Sequence, residues 1–509
     1  MISKFYETIK LLNFNFVTKC EFENPRMVKK KWNNRMEEDG SFLSEDRASV
    51  VEVDTVLLAI GSSPLQQQCL ILLGLANAAD AVEVLAIGYI ITVFKDPTTG
   101  ADIDSIPGWS SVMTSGVFIG MLFGGIFSGM YGDKWGRKPL LIASLGLNGV
   151  AGILSSATLL LPAHIQVPWL VLFRVIGGVG VGGSVPATFA LTSELVSGDW
   201  RGFYINIVAC FWSIGTLYTA IIAYMILHWT PQNWPLFALL VALPAVVSSI
   251  LCILILEESP VFLWTNGRLV ECAACLNRLN DSSNSISNYE RQLIASKIET
   301  LAPPPMQPAP STRMLVEGIL APDIRRRTLY VCLLFFFLSF AHYGISSWVS
   351  DIFKKLHFSN IYATSFFYAL ATVPGLLSAL YWVDKVGRKH LVVWSMLGSF
   401  ISAILFATFS SSSKLGTTVG AAMFNAFSAC AWNGVDIFSA ELFPSSLRGT
   451  ALGWAGACGR LGSVLGTVFN SLQIAGGSES AVWTVLITAG VSMLLGAKCA
   501  HLLPETFIW

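Results

Sequence analysis

The sequence predicts an all-α membrane protein in which twelve transmembrane helices form two pseudo-symmetric six-helix bundles, with both termini in the cytoplasm. Three observations predict this fold. The chain of 509 residues is 53% hydrophobic and only 13% charged, whereas a soluble domain carries roughly 25% charged residues. It contains twelve apolar runs, each long enough, at roughly 20 residues, to cross a hydrocarbon core. Two charged motifs also occur twice each, at nearly the same spacing.

The repeated motifs indicate an internal duplication. The charged turn over 129–138 reads Gly-Met-Tyr-Gly-Asp-Lys-Trp-Gly-Arg-Lys, and a shorter copy over 384–389 reads Asp-Lys-Val-Gly-Arg-Lys. A Glu-Leu pair followed by an Arg-Gly pair begins at Glu194 and again at Glu441. The copies of the first motif are 251 residues apart, and those of the second are 247 apart. Two unrelated motifs that recur at almost one spacing predict two homologous halves.

The predicted elements follow in order along the chain. Residues 1–65 are polar and charged, which is typical of a disordered cytoplasmic tail. The first six apolar runs predict an N-terminal bundle over 66–257, and the last six predict a C-terminal bundle over 328–503. Between them, 258–327 predicts a cytoplasmic linker with short helices and a proline-rich spacer, and 504–509 predicts a cytoplasmic C-terminal tail. The runs are continuously apolar, which favours helices over a barrel.

The basic residues predict the orientation of the spans. With both termini inside, the cytoplasmic loops carry sixteen Lys and Arg residues and the opposite loops carry four. An excess of basic residues marks the cytoplasmic side of a membrane protein, so both termini and the linker are predicted to be cytoplasmic. The predicted spans lie near 67–94, 110–131, 139–161, 168–192, 203–227, 236–256, 328–349, 362–383, 390–410, 416–438, 449–471 and 481–503.

Composition and motif content exclude several classes of function. A net charge of zero argues against a nucleic-acid partner. The ten cysteines are scattered through apolar runs, without the framework of a disulfide-rich secreted domain. The sequence contains no P-loop, no zinc-binding pattern such as H-E-x-x-H and no nucleophile motif. No cofactor, no metal and no enzymatic activity are therefore predicted.

Charged residues inside the predicted spans indicate the functional site, because a charge in hydrocarbon usually faces a cavity or a partner. Asp80 and Glu83 lie three residues apart in the first span, on one helix face, which suits proton or cation binding or an ion pair with a neighbouring arginine. Arg174 lies in the fourth span, where a substrate role and a structural role are both open. Arg460 lies twelve residues beyond Arg448, about 18 Å deep, where a guanidinium suits a substrate carboxylate.

Further residues are candidates for the wall of a cavity or for a cytoplasmic gate. His342, Tyr343, Trp432 and Asn433 could line a cavity, although aromatic residues in spans pack more often than they bind. Salt bridges at the cytoplasmic face would hold an outward-open state and break as the halves rock, although charges that only set topology would give the same pattern. The predicted gate residues are Asp133, Arg137, Glu194, Arg201, Asp384, Arg388, Asp436, Glu441 and Arg448.

These motifs resemble those of the major facilitator superfamily over about 67–506. The G-x-x-x-D-K-x-G-R-K turn is the signature of that superfamily, and its second copy has Leu380 where the first has Gly129. Asn77-Ala-Ala-Asp-Ala-Val-Glu83 is similar to the acidic first helix of synaptic-vesicle-protein-two-related proteins and bacterial niacin-type porters. Gly459-Arg-Leu-Gly462 is similar to the eleventh-helix arginine segment of organic cation and anion transporters.

The resemblance implies a secondary transporter that works by alternating access, with its site between the halves. We expect a proton-coupled small organic anion, such as nicotinate or an aromatic acid, with Arg460 engaging its charge and Asp80 and Glu83 carrying the proton. A glutamine-rich seventh helix, which sugar porters have, is absent, so a hexose is disfavoured. The alternatives are a facilitative organic cation uniporter and a non-transporting receptor or vesicle component. The expected partners are substrate, proton and lipid bilayer, with the chain a monomer in a plasma or vesicle membrane.

Overall fold

The protein is helical wherever the structure describes it. The computed structural model describes residues 53–94, 108–198, 201–283, 287–301, 312–322, 324–475 and 479–505, and no strand occurs within these ranges. Ten helical segments among them are long and apolar enough to cross a membrane. In chain order the helices are α1 Val53–Ile60, α2 Pro64–Phe94, α3 Trp109–Trp135, α4 Arg137–Ser156, α5 Ala163–Glu194, α6 Arg201–Leu227, α7 Trp234–Ile255, α8 Pro260–Thr265, α9 Leu269–Ser282, α10 Asn288–Glu299, α11 Thr312–Ile319, α12 Arg325–Ser346, α13 Val349–Lys355, α14 Ile361–Leu370, α15 Thr372–Val386, α16 Arg388–Phe409, α17 Lys414–Glu441, α18 Ser445–Ala475 and α19 Glu479–His501.

Two of the predicted spans are long helices that are less apolar than these ten. α17 has 28 residues and α18 has 31, so each is long enough to cross a bilayer core roughly 30 Å thick. Their many glycine, serine and threonine residues, together with Asp436 and Arg460, lower their hydropathy. This composition fits helices that have one side turned to a polar cavity.

The N-terminal region departs from the prediction of a disordered tail through residue 65. Residues 53–60 form α1, whereas residues 1–52 lie outside the part of the chain that the structure describes. α1 packs onto α8, α9 and α10 of the linker, and Ser283 Oγ donates a hydrogen bond to the Ile60 carbonyl oxygen at 3.3 Å. The buried side chains of α1 recur at the spacing of one helix face and are Val53, Val56, Leu57 and Ile60.

The eighth predicted span is built from two helices. α14 ends at Leu370 and α15 begins at Thr372. Pro374 has no N–H to donate to the carbonyl of Leu370, and its ring crowds that carbonyl. Thr372 Oγ1 also donates to the Ala369 carbonyl oxygen at 2.8 Å. The helix is therefore interrupted at this point, within a segment that is still long and apolar enough to span a membrane.

The helices pack in two corresponding sets, which we call the first half (α2–α7) and the second half (α12–α19). In the first half α2 packs on α6 and α7, and α4 packs on α5 and α7. In the second half α12 packs on α18 and α19, and α16 packs on α17 and α19. Each pairing in one half has its counterpart at the same position in the other, as an internal duplication produces.

The repeated charged turns lie between α3 and α4 and between α15 and α16, at what we call the motif end. Both turns need glycine, because Gly136 has φ 103° and Gly387 has φ 90°, values that an L side chain rarely adopts. Each glycine directly precedes a helix, α4 or α16. The motif therefore ends one long helix and begins the next without an intervening loop.

The two halves make close backbone contacts at the opposite end of the helices, the far end. There α3 packs on α18 and α2 packs on α13. The hydroxyl oxygens of Ser110 and Ser471 are 3.0 Å apart, and Lys354 Nζ donates to the Thr92 carbonyl oxygen at 3.2 Å. A Cβ added at Gly88 would lie 2.7 Å from the carbonyl oxygen of Ser347. Backbone from one half thus lies against backbone from the other, and the far end is closed.

Candidate functional site

Asp80 lies at the centre of the first half and is fully buried. Its partners are neutral: Ser184 Oγ of α5 lies 2.6 Å from Asp80 Oδ2, and Asn148 Nδ2 of α4 donates to Oδ1 at 3.5 Å. Ser184 Oγ also lies 3.0 Å from the carbonyl oxygen of Val181. Three helices therefore meet at this one carboxyl group.

Glu83, on the same face of α2, has a charged partner instead. Arg174 Nη1 of α5 donates to Glu83 Oε1 at 2.8 Å, and the two side chains are 0% and 4% exposed, respectively. Nε and Nη2 of Arg174 have no hydrogen-bond partner among the described residues. A Cβ at Gly177 would lie 2.9 Å from Glu83 Oε1, so the glycine leaves room for the carboxylate. The pair is the ion-pair alternative that the sequence left open for both residues.

Arg460 brings a guanidinium from the second half towards these carboxyl groups. It is half-buried on α18, and its guanidinium carbon lies 6.0 Å from the ring centroid of Tyr343. Asp80 and Asp436 are both close enough to interact with it electrostatically. Among the described residues, however, it forms no ion pair. Arg460 thus keeps hydrogen-bond donors that a bound anion can use.

Aromatic rings form one wall beside Arg460, and Trp432 of α17 lies at its centre. Phe118 of the first half packs on Tyr343, with ring centroids 5.1 Å apart. Trp432 Nε1 is buried and has no hydrogen-bond partner within the described ranges, so the wall offers an unused donor. The rings packed on Trp432, with centroids 6.0, 6.3 and 5.8 Å away, belong to Phe335, His342 and Tyr343.

Two of the predicted cavity residues have their polar atoms bound inside the second half. His342 Nδ1 forms a hydrogen bond with Ser428 Oγ at 3.2 Å. Asn433 Nδ2 donates to the Ala429 carbonyl oxygen of its own helix at 3.0 Å. Both side chains are buried. Each of these side chains therefore has one nitrogen atom held by a hydrogen bond within the second half.

One face of α18 carries no side chains between Arg460 and the motif end. On α18, Gly449, Gly453 and Gly456 lie on the same face as Arg460, and a Cβ added at any of the three would meet no atom within 4 Å. Asp436 of α17 is exposed and close enough to Arg460 to interact with it electrostatically. This glycine-lined face extends from Arg460 towards the motif end, where α6 of the first half packs on α15 and α17 of the second half.

The charged residues at the motif end pair within each half. Arg137 Nη2 lies 3.4 Å from Glu194 Oε1, and Arg388 Nε lies 3.2 Å from Glu441 Oε1. The two pairs occupy corresponding positions and are present while the far end is closed. A role for them in holding an outward-open state remains a prediction.

The other predicted gate residues are placed differently. Arg201 Nε donates to the Ser193 carbonyl oxygen at 2.8 Å, and its Nη2 lies 3.4 Å from Asp54 Oδ1. Arg448 is exposed. The side chains of Asp133 and Asp384 lie outside the described residues.

The hydrogen-bond partners of Asp80 could not be identified from the sequence. Ser184 and Asn148 bind Asp80, but single serine and asparagine residues in an apolar run give no signal that separates them from packing residues. Glu258 also has a definite role, because its Oε1 accepts the N–H groups of Arg137 and Lys138, each at 3.1 Å. It thereby satisfies the free N–H groups at the start of α4. Burial raises the pKa of Glu258 in spite of these hydrogen bonds.

The comparison with known families agrees with this arrangement of halves, turns and central charges. The profile of the sugar (and other) transporter family matches residues 74–508. The chain belongs to this family. Members of the sugar (and other) transporter family have the major facilitator fold, so the protein is a multi-pass membrane transporter and not an enzyme. The predicted superfamily and the predicted absence of enzymatic activity are confirmed.

Individual relatives include transporters of organic ions. The niacin transporter NiaP of Acinetobacter baylyi is 28% identical, over 77% of this chain and 83% of its own length. Organic cation/carnitine transporter 7 of Arabidopsis thaliana is 26% identical, over 81% and 86%. Synaptic vesicle glycoprotein 2A of Homo sapiens is 24% identical, over 89% and 79%.

Solved structures share the fold. The partially occluded inward-open conformation of the xylose transporter XylE from E. coli superposes with a TM-score of 0.69, covering 87% of this chain and 99% of that one. The sequence identity is 18%, so this likeness extends to the fold alone.

Proposed function

We propose that the protein is a secondary transporter that carries a small organic anion, a carboxylate, together with a proton. The observation that carries the proposal is Arg460, a half-buried guanidinium in the central cavity that forms no ion pair among the described residues. A carboxylate can accept two parallel N–H bonds from such a group. The 28% identity to a niacin transporter, whose named substrate is a carboxylate, supports this class of substrate.

The proposed topology has twelve spans, with α17 and α18 as the tenth and eleventh, in bundles over 66–257 and 328–503. The excess of Lys and Arg residues at the motif end favours placing it, and both termini, in the cytoplasm. With the far end closed, the proposed state is one that faces the cytoplasm. Rocking of the halves would close the motif end and open the far end.

We assign the coupled proton to Asp80. A neutral Asp80 can donate its proton to Ser184 Oγ, whose own proton then goes to the Val181 carbonyl oxygen 3.0 Å away. Each of the two contacts, from Asp80 to Ser184 and from Ser184 to Val181, is then a hydrogen bond with its own proton, and no unpaired charge is buried. Once Asp80 loses the proton, its carboxylate competes with the substrate for Arg460, so substrate and proton leave together.

Uptake by the purified protein in liposomes tests this function. With the lumen alkaline, the wild type is expected to accumulate labelled nicotinate. Asp80→Asn keeps the shape of the side chain but carries no proton, so it should lose gradient-driven accumulation and keep counterflow exchange. Arg460→Ala should lose both processes, whereas Arg326→Gln, at an exposed arginine near the motif end, should lose neither. Equal survival of both processes in Asp80→Asn contradicts the proton assignment.

A facilitative organic cation uniporter is the second candidate, and the exposed carboxylate of Asp436 favours it. In the same liposomes this function predicts entry of a quaternary amine that does not depend on the pH gradient and that Asp436→Asn abolishes. If neither the anion nor the amine enters, transport of both classes is contradicted and a receptor role gains support.

A further inference from the structure

Asp436 is a second charged residue near Arg460. The transport of a simple anion does not require a carboxylate at this position. It is exposed on α17, and no hydrogen bond or ion pair to it occurs among the described residues. It interacts electrostatically with Arg460 of α18 and with Tyr343 of α12. One carboxylate and one guanidinium therefore lie near each other between the halves, and neither forms an ion pair among the described residues.

This combination disfavours a simple anion. The carboxylate of Asp436 repels an anionic substrate that binds at Arg460, and like charges in a partly desolvated cavity discriminate strongly between ligands. Asp80, the other carboxyl group near Arg460, is fully buried and bound to Ser184 and Asn148, so a substrate does not meet it directly. A ligand with a positive group as well as a carboxylate matches both exposed charges.

The aromatic wall indicates the kind of positive group. Trp432 lies four residues before Asp436, and therefore on the same face of α17. Its indole ring packs against Tyr343 and Phe335. Aromatic faces attract weakly hydrated cations, quaternary ammonium groups above all. A cation beside Asp436 would therefore meet the carboxylate and aromatic rings together.

We infer that the site selects zwitterions in which a carboxylate is joined to a permanently cationic nitrogen, of the quaternary ammonium or N-alkylpyridinium class. Arg460 binds the carboxylate, and Asp436 binds the nitrogen beside Trp432. Asp436 is thus a specificity-determining residue of the transport site. The inference rests on the proposed function, because in both of them Arg460 binds the carboxylate of the substrate.

Two labelled substrates that differ by one methyl group test the inference. Nicotinate has a neutral ring nitrogen at neutral pH, and N-methylnicotinate carries a fixed positive charge there. In liposomes containing the full chain, the wild type should take up the N-methyl compound with a kcat/KM roughly 10-fold higher, the value of one added charge contact. Asp436→Asn should reduce this ratio to about one, and Asp436→Glu should restore most of it.

The ratio compares two substrates in the same protein, so it does not depend on how much of the variant is folded, and Asp281→Asn, in the linker, controls for loss of a carboxylate elsewhere. Equal uptake of the two compounds by the wild type, or an unchanged ratio in Asp436→Asn, overturns the inference and leaves the proposed function standing, provided that uptake still requires Arg460. Absence of uptake for both compounds in the wild type overturns the proposed function and the inference together.

Discussion

The Glu83–Arg174 pair shows how much a single buried charge depends on its neighbour. Removing an ion from water costs several kcal/mol, and the attraction between two ions repays this cost only while both are present. Arg174 has two further N–H groups without a partner among the described residues, so it has nothing else to neutralise it. The pair therefore stabilises the first half only as a unit.

Glu83→Gln is expected to destabilise the protein by about 3–5 kcal/mol, because it leaves the Arg174 charge buried without a counter-ion. Thermal unfolding in detergent measures the effect. The double variant Glu83→Gln/Arg174→Met removes both charges and should regain much of the loss. A single variant as stable as the wild type would show that Glu83 is already neutral.

The buried carboxyl group of Glu258 gives the motif end a pH dependence. Its pKa is raised in the folded protein by burial, so the folded state binds this proton more tightly than the unfolded state does. The stability that it contributes is complete below the ordinary glutamate pKa and is lost as the pH rises through the raised value. The stability of the wild type relative to Glu258→Gln should therefore fall as the pH rises through this window. Melting temperatures across that range measure it, and a constant difference contradicts it.

At the residue scale the sequence located the charges within the spans but did not assign their partners. Asp80, Glu83, Arg174 and Arg460 stand out because charges are rare in apolar runs. Their pairing depends on the rotation of α4 and α5 against α2, which a single sequence does not contain. The fate of Asp80 also depends on Ser184, a residue type too common in packing faces to attract notice.

Close contact between helices of different halves depends on single glycines. Gly88 of α2 lies against the backbone at Ser347, and no side chain fits there without separation of the two segments. The same position is open when the halves part at the far end. The closed state alone therefore requires a glycine.

Gly88→Ala is expected to disfavour the closed far end, since overpacking of this kind costs about 1–3 kcal/mol, or roughly 5- to 150-fold in the ratio of states. The alkylation rate of a cysteine placed at Gly453, which faces the open cavity, should fall because the motif end closes more often. Gly129→Ala is the matched control, since its Cβ would meet nothing within 4 Å. An unchanged rate in Gly88→Ala would show that the contact adjusts without cost.

At the element scale, length and continuous apolarity were enough to predict the long helices. They were not enough for α1, whose two turns give too short a periodic signal. The interruption near Ala371 was also missed, although Pro374 is visible in the sequence, because a proline inside a span can kink, break or merely bend a helix according to its neighbours. In α17 and α18 the small, polar and charged residues lower the mean hydropathy, which is the property by which a span is recognised.

At the scale of the whole molecule, close contacts join the two halves at the far end, so transport through this end requires the halves to change their relative position. Ser110 and Ser471 lie on different halves with their hydroxyl oxygens 3.0 Å apart. Ser350 and Ser365 have the same separation of 3.0 Å but both belong to the second half. The two pairs form a matched set for testing movement between halves.

A disulfide in Ser110→Cys/Ser471→Cys is expected to stop transport, because it fixes the far end in the closed state. A reductant should restore transport in full. Ser350→Cys/Ser365→Cys should transport in both oxidised and reduced forms, since its disulfide joins parts that move together. Uptake in liposomes before and after reduction measures both. Transport by the oxidised first variant contradicts alternating access through this end.

At this scale the duplication predicted the correspondence of the halves, but the sequence could not predict which state they adopt. The same residues serve both states, and the difference in free energy between them is small compared with that of folding. Only the structure shows which end is closed.

The glycine face of α18 also determines the width of the proposed path to Arg460. At Gly449, Gly453 and Gly456 the width is limited by backbone, so every side chain introduced there narrows the passage by a known increment. Substitution of Gly453 by alanine, valine and leucine in turn therefore narrows the path in steps of increasing size. The size of the largest substrate that each variant still transports would then give the width of the path in a membrane, with a precision of about one methyl group.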